Sequence, residues 1–325
     1  MGKFLKFSVV AIAALCALDA RAQQDSFADY PKRPIRIIVA TAPGGGVDSI
    51  TRFVGEKLRL RWGQPILVES RVGAGGTLGA DAVSSAEPDG YTLLATFPGP
   101  LAATAMFKKL NYDPLALKTI AIMAVAPMVV VARKDFPPNS IQELIAHAKA
   151  NPGKLSYGLS GVGSISHLTM EMLKYRTGLD IAAVPYRGAM LAVNDLAAGQ
   201  VDVMAVDLGT VLPTYEAKRV KMLGAATAQR LPMLPNVATF QEAGLDDSVL
   251  TTWYSLSAPP RTPAALVSKL NEAVLEALRA PDAKPQLQVL VVEPMFVDAA
   301  AADKFVAAEA SRWGAVIRAA KITVD

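Results

Sequence analysis

Residues 35–58 read IRIIVATAPGGGVDSITRFVGEKL, and this stretch decides the fold. The apolar run Ile35–Ala40 predicts a buried strand, and the apolar side chains of 49–60 recur at helical spacing. A glycine-rich loop, Thr41–Gly46, joins the two elements, and Gly63 is the expected residue just beyond the helix end. A strand, a short loop and an amphipathic helix in this order begin a βαβ unit. The stretch therefore predicts a parallel sheet covered by helices.

The same pattern continues along the chain and then starts again. A strand at 65–69, a helix at 77–86 and a strand at 91–96 complete the first unit. A second unit begins with a strand at 128–133 and a helix opened by the capping box Ser140-Ile-Gln-Glu143. Further strands are predicted at 155–158, 182–185, 203–206, 222–226 and 252–258, and further helices at 164–177, 189–198, 263–280 and 303–320. This restart fits two similar α/β lobes with a cleft between them.

The first 22 residues have the composition of a secretory signal peptide. Two lysines precede the apolar run FSVVAIAALCAL, which is short for a membrane span, and small residues stand at Ala20 and Ala22. We expect cleavage near Ala22 and export to the periplasm. A membrane anchor is one alternative, and a lipoprotein attached through Cys16 is another, although Leu15 fits a lipobox poorly. Cleavage after Ala22 removes the only cysteine, which excludes disulfides and thiol chemistry from the mature chain.

The charge balance gives no indication of a nucleic-acid partner. The chain has 33 basic and 29 acidic residues, a formal net charge of +4, and no basic run stands out. The two histidines and the acidic residues show no metal-ligand spacing, so neither a metal nor a cofactor is expected. With 52% apolar residues over 325 positions, the chain can build a large core, and two domains are favoured.

Three glycine loops, each before a predicted helix, are the features that suggest binding. They are APGGGVDSI from Ala42, RVGAGGTLGA from Arg71 and SGVGS from Ser160. None is a nucleotide loop, because Val47-Asp48 replaces the Lys-Ser/Thr of a Walker motif and the second loop misses the dinucleotide spacing. Glycine lets backbone N–H groups approach a ligand, and helix N-termini attract anions. Three such loops meeting in a cleft predict a carboxylate site.

Ser164 and His167 raise the alternative of a secreted α/β hydrolase. The chain has no G-x-S-x-G elbow, and both residues fall on one predicted helix rather than on a strand-to-helix turn. We therefore expect His167 to fix the helix start or to line a polar cleft.

The chain resembles the Bug receptors, the periplasmic solute-binding proteins of tripartite tricarboxylate transporters. The resemblance covers essentially the whole mature chain and rests on the order and spacing of several segments. They are YPKRPIRIIV, APGGGVDSITR, VESRVGAGGTLGAD, EPDGYTLL, NYDP, SYGLSGVGSISHLTMEML, VPYRGAMLAVNDLAAGQVDVM, LPNVATFQEAG and WYSLSAPPRTPAALVSKLN.

This resemblance implies an α/β fold of the two-lobed periplasmic binding protein type II, a Venus flytrap whose lobes are mostly parallel sheets covered by helices. Residues 25–126 plus 252–325 would form lobe 1, and residues 127–251 lobe 2. The function implied is a receptor, not an enzyme, that captures a small organic carboxylate or amino acid by lobe closure and delivers it to integral membrane transporter subunits. We expect a monomer. A sensor that docks on a membrane kinase is the remaining alternative.

The resemblance also implies which residues meet the ligand. Lobe 1 would contribute Thr41, Ala42, Pro43, Gly44, Gly45, Gly73, Ala74, Gly75 and the Thr96 hydroxyl, and lobe 2 Gly161, Gly163, Ser164, His167, Tyr186 and Asp207. Asp48 is expected to cap the first helix, or to accept a hydrogen bond from an ammonium group or a bridging water. Thr41 stands where many relatives have Phe, Leu159 where Ser is common, and Pro98–Ala102 departs from a usual polar stretch. These departures predict a less aromatic, more apolar pocket.

Overall fold

The described part of the chain comprises residues 27–106, 110–245, 250–319 and 322 of a computed structural model. The expected signal peptide and its cleavage site lie outside these residues. Within them, none of the helices combines the length and the hydrophobicity that crossing a membrane requires.

Nine strands of the described chain form one mixed sheet. They are β1 Ile35–Val39, β2 Ile66–Ser70, β3 Thr92–Thr96, β4 Lys118–Arg133, β5 Leu155–Leu159, β6 Ile181–Pro185, β7 Val203–Asp207, β8 Val220–Ala225 and β9 Thr251–Ala258. The hydrogen-bonded order is β2-β1-β3-β9-β4-β7-β5-β6, and β8 also pairs with β4.

Ten described α-helices cover this sheet. They are α1 Gly46–Trp62, α2 Thr77–Ser84, α3 Gly99–Met106, α4 Ile141–Ala150, α5 Ile165–Thr177, α6 Ala189–Ala197, α7 Leu208–Glu216, α8 Ala264–Arg279, α9 Ala283–Leu290 and α10 Ala299–Ala319. A 3-10 turn at Ala74–Gly76 leads into α2, and another at Pro114–Ala116 precedes β4.

Local sequence explains the helix that follows the opening strand. Ile50, Val54 and Leu58 lie on one face of α1 and are buried against β1. Complete burial of one such side chain contributes about 1.5–3 kcal/mol. Gly63 adopts the left-handed conformation and donates its N–H to the Arg59 carbonyl, so the predicted helix end is confirmed.

The capping box at α4 forms only in part. The Ser140 hydroxyl accepts a hydrogen bond from the Glu143 N–H, as predicted. The Glu143 carboxylate accepts from the N–H of Asn139 rather than from that of Ser140.

The sheet consists of two parallel sets of strands joined by antiparallel ones. β1 pairs in parallel with β2 and β3, and β5 pairs in parallel with β6 and β7. β9 is antiparallel to β3 and β4, and β4 is antiparallel to β7 and β8. The predicted two-lobed α/β architecture is correct, but each half is mixed rather than mostly parallel.

The long strand β4 belongs to both halves of the sheet. Its residues 118–127 pair with β9, and its residues 128–133 pair with β7 and β8. The change of partner falls at Pro127, which has no N–H to donate. The predicted lobe bounds at 126/127 and 251/252 stay a prediction.

The last helix also contacts both halves. Near its start, Ala302 belongs to one buried cluster with Trp253 of β9, whereas Trp313 and Ile317 near its end belong to the buried cluster that contains Met128 of β4. The Glu309 carboxylate accepts hydrogen bonds from the indole N–H groups of Trp253 and Trp313 at 3.0 and 3.1 Å.

Candidate functional site

The site is a cleft between the two halves of the sheet, and it consists of two connected chambers. The inner chamber is lined by Thr41, Ala42, Gly45, Gly46, Val47, Phe97, Met128, Ser160, Ser164, Ile165, Ser166, Gly188, Ala189, Val206, Asp207, Thr252 and Tyr254. The outer chamber is lined by Ala40, Thr41, Val72, Gly73, Ala74, Gly75, Gly76, Leu78, Phe97, Ser160, Gly161, Val162, Pro185, Tyr186 and Arg187. Thr41, Phe97 and Ser160 line both chambers.

Four helix N-termini reach the inner chamber. Residues at the starts of α1, α5 and α6 line it, together with Asp207, the N-cap of α7. Parallel strands that each lead into a helix bring such helix starts to one edge of a sheet. A helix start carries unpaired N–H donors and the positive end of the helix dipole, so the chamber favours an anion.

Two of these helix starts are capped by side chains and two are not. The Ser164 hydroxyl accepts from the His167 N–H, and the Asp207 carboxylate accepts from the Thr210 N–H at 2.9 Å. The N-caps of α1 and α6 are Gly45 and Gly188, which have no side chain to accept a hydrogen bond. The first N–H groups of α1 and α6 therefore lack a side-chain cap and can serve a ligand.

The inner chamber also contains polar atoms that have no partner among the described residues. The Thr41 and Tyr254 hydroxyl groups are buried without a hydrogen bond there. Tyr254 lies on β9 and is only 3% exposed, and a Cβ on Gly46 would overlap its hydroxyl oxygen. Gly46 is thus required for the Tyr254 hydroxyl to reach the start of α1. Unpaired buried hydroxyl groups are costly, and a bound polar ligand would satisfy them.

Asp207 is the one charged residue among those that line the inner chamber. Burial raises the pKa of its carboxyl group, against the opposing effects of the hydrogen bond from the Thr210 N–H and of the nearby Tyr254 hydroxyl. Burial and the nearby Asp207 carboxylate raise the pKa of Tyr254 well above its ordinary value. Both residues line the inner chamber as neighbours, but the Tyr254 hydroxyl makes no hydrogen bond of good geometry to Asp207.

Loops from the two halves touch across the cleft. A Cβ on Gly75 would overlap the Val162 carbonyl oxygen, and a Cβ on Gly188 would lie 2.9 Å from the Cβ of Ala42. Only a residue without a side chain permits these approaches, so the glycines allow the cleft to close tightly.

The outer chamber is formed mainly by backbone. Gly73 and Gly75 have positive φ angles of 141° and 64°, which fold the turn before α2. Tyr186 donates its hydroxyl to Asp195 at 2.8 Å, and burial together with this hydrogen bond raises the Tyr186 pKa to about 12. Arg187 is exposed, lines the chamber and makes no ion pair with a described residue.

The structure brings ten of the sixteen predicted site residues to the cleft. Thr41, Ala42, Gly45, Ser164 and Asp207 line the inner chamber, and Thr41 also lines the outer one with Gly73, Ala74, Gly75, Gly161 and Tyr186.

The other six predicted residues line neither chamber, and two of them, Pro43 and Gly44, are exposed. Asp48 is buried, and its carboxylate accepts from the Gly44 N–H at 3.0 Å and pairs with Arg52. Asp48 was expected to cap α1, but its partner Gly44 precedes the helix. Asp48 therefore stabilises the loop before α1.

Thr96, Gly163 and His167 also lie off the cleft wall. Thr96 faces a separate internal cavity, and its hydroxyl is 3.4 Å from the Phe97 carbonyl oxygen. Gly163 donates its N–H to Nδ1 of His167 at 3.2 Å, and burial lowers the pKa of this imidazole. His167 therefore stabilises the start of α5, which is one of the two roles that the sequence suggested for it. Leu159 is buried in the core rather than placed in the cleft.

Several cleft residues escaped the sequence analysis. Phe97 follows the last residue of β3, and Arg187 lies two residues beyond the end of β6, so both stand just after a strand, where cleft residues are common. Tyr254 and Thr252 lie inside β9, and only the sheet order reveals that this strand crosses beneath the cleft. No cluster of metal-binding side chains occurs among the residues for which positions are given.

The fold and the cleft define a two-lobed solute-binding protein. The profile of the family described as "Tripartite tricarboxylate transporter family receptor" matches residues 50–322. The chain belongs to this family, which consists of receptors and not of enzymes, so the hydrolase alternative is wrong.

Relatives of known sequence and structure agree with this assignment. A UPF0065 protein from Bordetella pertussis is 36% identical over 310 residues, which cover 95% of each chain. The solved periplasmic binding protein BugD is 32% identical with a TM-score of 0.86, covering 91% of this chain and 100% of that one. MatC from Rhodopseudomonas palustris, solved with bound malate, is 34% identical with a TM-score of 0.85 and coverages of 89% and 100%.

Proposed function

We propose that this receptor captures a small organic carboxylate or amino acid in the periplasm and delivers it to the membrane subunits of a tripartite tricarboxylate-type transporter. The observation that carries the proposal is the convergence of four helix N-termini on one chamber. Two of those termini, at Gly45 and Gly188, have no side-chain cap. A carboxylate matches these donors in charge and in hydrogen-bonding capacity.

Closure of the lobes supports the same function. Lobe-1 residues Ala42 and Gly75 touch lobe-2 residues Gly188 and Val162 across the cleft. A ligand held between these loops contacts both lobes at once and therefore binds the closed state better than the open one. Binding shifts the population towards the closed state, whose shape membrane subunits can recognise.

The outer chamber suggests a second acidic group on the ligand. Arg187 is the one charged residue lining this chamber, and it has no ion-pair partner in the described structure. A guanidinium group binds a carboxylate with two parallel hydrogen bonds. A dicarboxylate would place one acid at the helix starts and the other at Arg187. The relative MatC was solved with malate, which is a dicarboxylate of this kind.

Ligand binding is tested by calorimetry and by thermal unfolding with a panel of mono-, di- and tricarboxylates, amino acids, sugars and amines. We expect a carboxylate to raise the melting temperature, because a ligand at 100 times its Kd stabilises the folded state by about 2.7 kcal/mol. Mass spectrometry of small molecules released from natively purified protein provides an independent identification. Stabilisation by sugars or amines but by no carboxylate would contradict the proposal.

The transport partner and the periplasmic location are tested by separate experiments. N-terminal sequencing of the exported protein tests cleavage near Ala22. Uptake of the identified ligand by cells with and without the gene distinguishes a transport receptor from a sensor that docks on a membrane kinase. Ligand-dependent gene expression with unchanged uptake would favour the sensor.

A further inference from the structure

One constellation in the inner chamber has chemistry opposite to that of an anion site. Asp207 from one lobe and Tyr254 from the other lie side by side, next to the start of α1 at Gly46. Four helix starts attract negative charge to this chamber, yet its one charged side chain is itself an acid. A site for a bare carboxylate gains nothing from a second acid placed beside it.

Hydrogen-bonding capacity shows what this acid can recognise. The Asp207 carboxylate accepts from the Thr210 N–H at 2.9 Å, and an ionised carboxylate has room for further donors. The Tyr254 hydroxyl is buried and has no partner of good geometry in the described structure. It can donate to Asp207 and accept from a ligand at the same time. Both groups therefore offer acceptor atoms to the chamber.

The position of Tyr254 shows where the donor would lie on the ligand. A Cβ on Gly46 would overlap the Tyr254 hydroxyl oxygen, so this hydroxyl lies at the first turn of α1. The same turn presents the uncapped N–H groups after Gly45. The Tyr254 acceptor and the anion-binding donors thus lie at the same helix turn.

We propose that Asp207 and Tyr254 recognise a hydrogen-bond donor beside the ligand's carboxylate, so that the receptor selects 2-hydroxy or 2-amino acids over the unsubstituted acids. This inference rests on the proposed carboxylate-binding function and names the ligand class within it. A site that hydrogen-bonds a ligand hydroxyl or amino group rejects the analogue that lacks it, since buried polar groups are then left unpaired.

The test measures Kd by calorimetry for three matched series, using protein freed of co-purified ligand. They are propionate, L-lactate and L-alanine; succinate, L-malate and L-aspartate; and phenylacetate, L-mandelate and L-phenylglycine. Within whichever series binds, we expect a 2-hydroxy or 2-amino member to bind about tenfold or more tightly than the unsubstituted member.

Two variants test whether Asp207 and Tyr254 cause the preference for the substituted acids. Asp207→Asn keeps an N-cap of similar strength but removes the charge, so α7 should remain intact. It should reduce the preference to about threefold or less, mainly by weakening the substituted ligands. Tyr254→Phe should lower the preference in the same direction. Glu216→Gln, which removes an exposed acid at the other end of α7, is the control and should bind like the wild type.

The outcomes separate this inference from the function on which it rests. Tight binding of carboxylates without any preference, or a preference that survives Asp207→Asn unchanged, overturns the role of Asp207 and Tyr254 but leaves the carboxylate receptor standing. Failure of all nine acids to bind overturns this inference, and it contradicts the carboxylate receptor as well if the wider panel of carboxylates also fails. A melting temperature of Asp207→Asn equal to that of the wild type shows that a changed preference is not a folding defect.

Discussion

The inner and outer chambers share Thr41, Phe97 and Ser160, yet they are built by different means. The inner chamber is closed by the starts of four helices, and its charged lining residue is Asp207. The outer chamber is formed by a glycine turn and a lobe-2 loop, and its charged lining residue is Arg187. Backbone groups create the electrostatics of the first chamber, whereas one flexible side chain creates those of the second.

This difference indicates how such a protein can change its ligand. The helix starts follow from the strand–helix topology, so the attraction for an anion persists as long as the fold does. Asp207, Tyr254 and Arg187 can each be replaced without altering that topology. We infer that carboxylate affinity belongs to the architecture and ligand identity to a few side chains.

The largest effect is expected from filling the inner chamber. Gly45 has φ −82° and ψ 171°, which valine also adopts, and a Cβ on it would meet nothing within 4 Å. Gly45→Val should therefore fold normally while its side chain occupies ligand space and blocks the N–H groups of α1. Calorimetry should show a loss of affinity of about 100-fold or more.

Pro43→Val is the control for Gly45→Val, because Pro43 belongs to the same loop but lines neither chamber. It should bind like the wild type. Wild-type affinity in Gly45→Val would remove this loop from the site and leave the outer chamber as the principal one.

The second effect concerns closure at the outer chamber. A Cβ on Gly75 would overlap the Val162 carbonyl oxygen of the opposite lobe. Gly75→Ala should therefore hinder the closed state and weaken every ligand by about 10-fold or more, because affinity falls with the population of the competent state. Small-angle scattering with saturating ligand should show a more open molecule.

Gly63→Ala separates closure from backbone strain. Gly63 has φ 63°, nearly the same as the 64° of Gly75, and nothing lies within 4 Å of its Cβ position. Both variants should lose about 1 kcal/mol of stability to the positive φ angle. Equal affinities of the two variants would show that the contact between Gly75 and Val162 has no role in binding.

The third effect tests whether the positive charge of the outer chamber selects ligands with a second carboxylate. Arg187→Gln should weaken dicarboxylates by about tenfold and leave monocarboxylates unchanged, because only the former would reach the outer chamber. The difference should diminish at high salt, since Arg187 is exposed. Arg219→Gln at the far end of α7 controls for net charge. Equal losses for both ligand classes would place Arg187 near the first carboxylate instead.

The smallest effect concerns His167, which supports the helix start behind the inner chamber. Burial lowers the pKa of His167 below its ordinary value of 6.5. As the pH falls below that ordinary value, the unfolded chain takes up the proton first, so the folded state loses stability. The melting temperature of the wild type should fall between pH 7 and pH 5. In His167→Gln this fall should be about 2 °C smaller. His147→Gln is the control, and an unchanged pH dependence in His167→Gln would assign the fall to other groups.

Much of the architecture was predictable from local patterns. The strand and helix of residues 35–62, the cap at Gly63 and the Ser140 hydroxyl cap of α4 were all predicted, because each depends on neighbours in the sequence. Three helices were missed. The segment Gly99–Met106 has a single polar side chain, Thr104, so it shows no clear helical periodicity. In the other two helices, Pro213 and Pro285 indicate breaks.

The candidate site was predictable only where it follows strand ends. Thr41, Gly45, Ser164 and Asp207 come directly after strands or at helix starts, and all four line the inner chamber. Asp48 and His167 have the right residue types at similar places, but their side chains face Gly44 and Gly163 instead. Sequence spacing places a residue on a loop but does not give the direction of its side chain.

By itself, the amino-acid sequence determined that the protein has two α/β lobes, glycine loops before helices and no cysteine chemistry beyond residue 16. These properties depend on residue type and short-range periodicity. Only the tertiary structure decided that Tyr254 meets Asp207, that Gly75 meets Val162 and that Arg187 lines the outer chamber without an ion-pair partner among described residues. Each of the two contacts joins segments far apart in the chain, and which segments meet is set by the sheet order and by closure of the lobes.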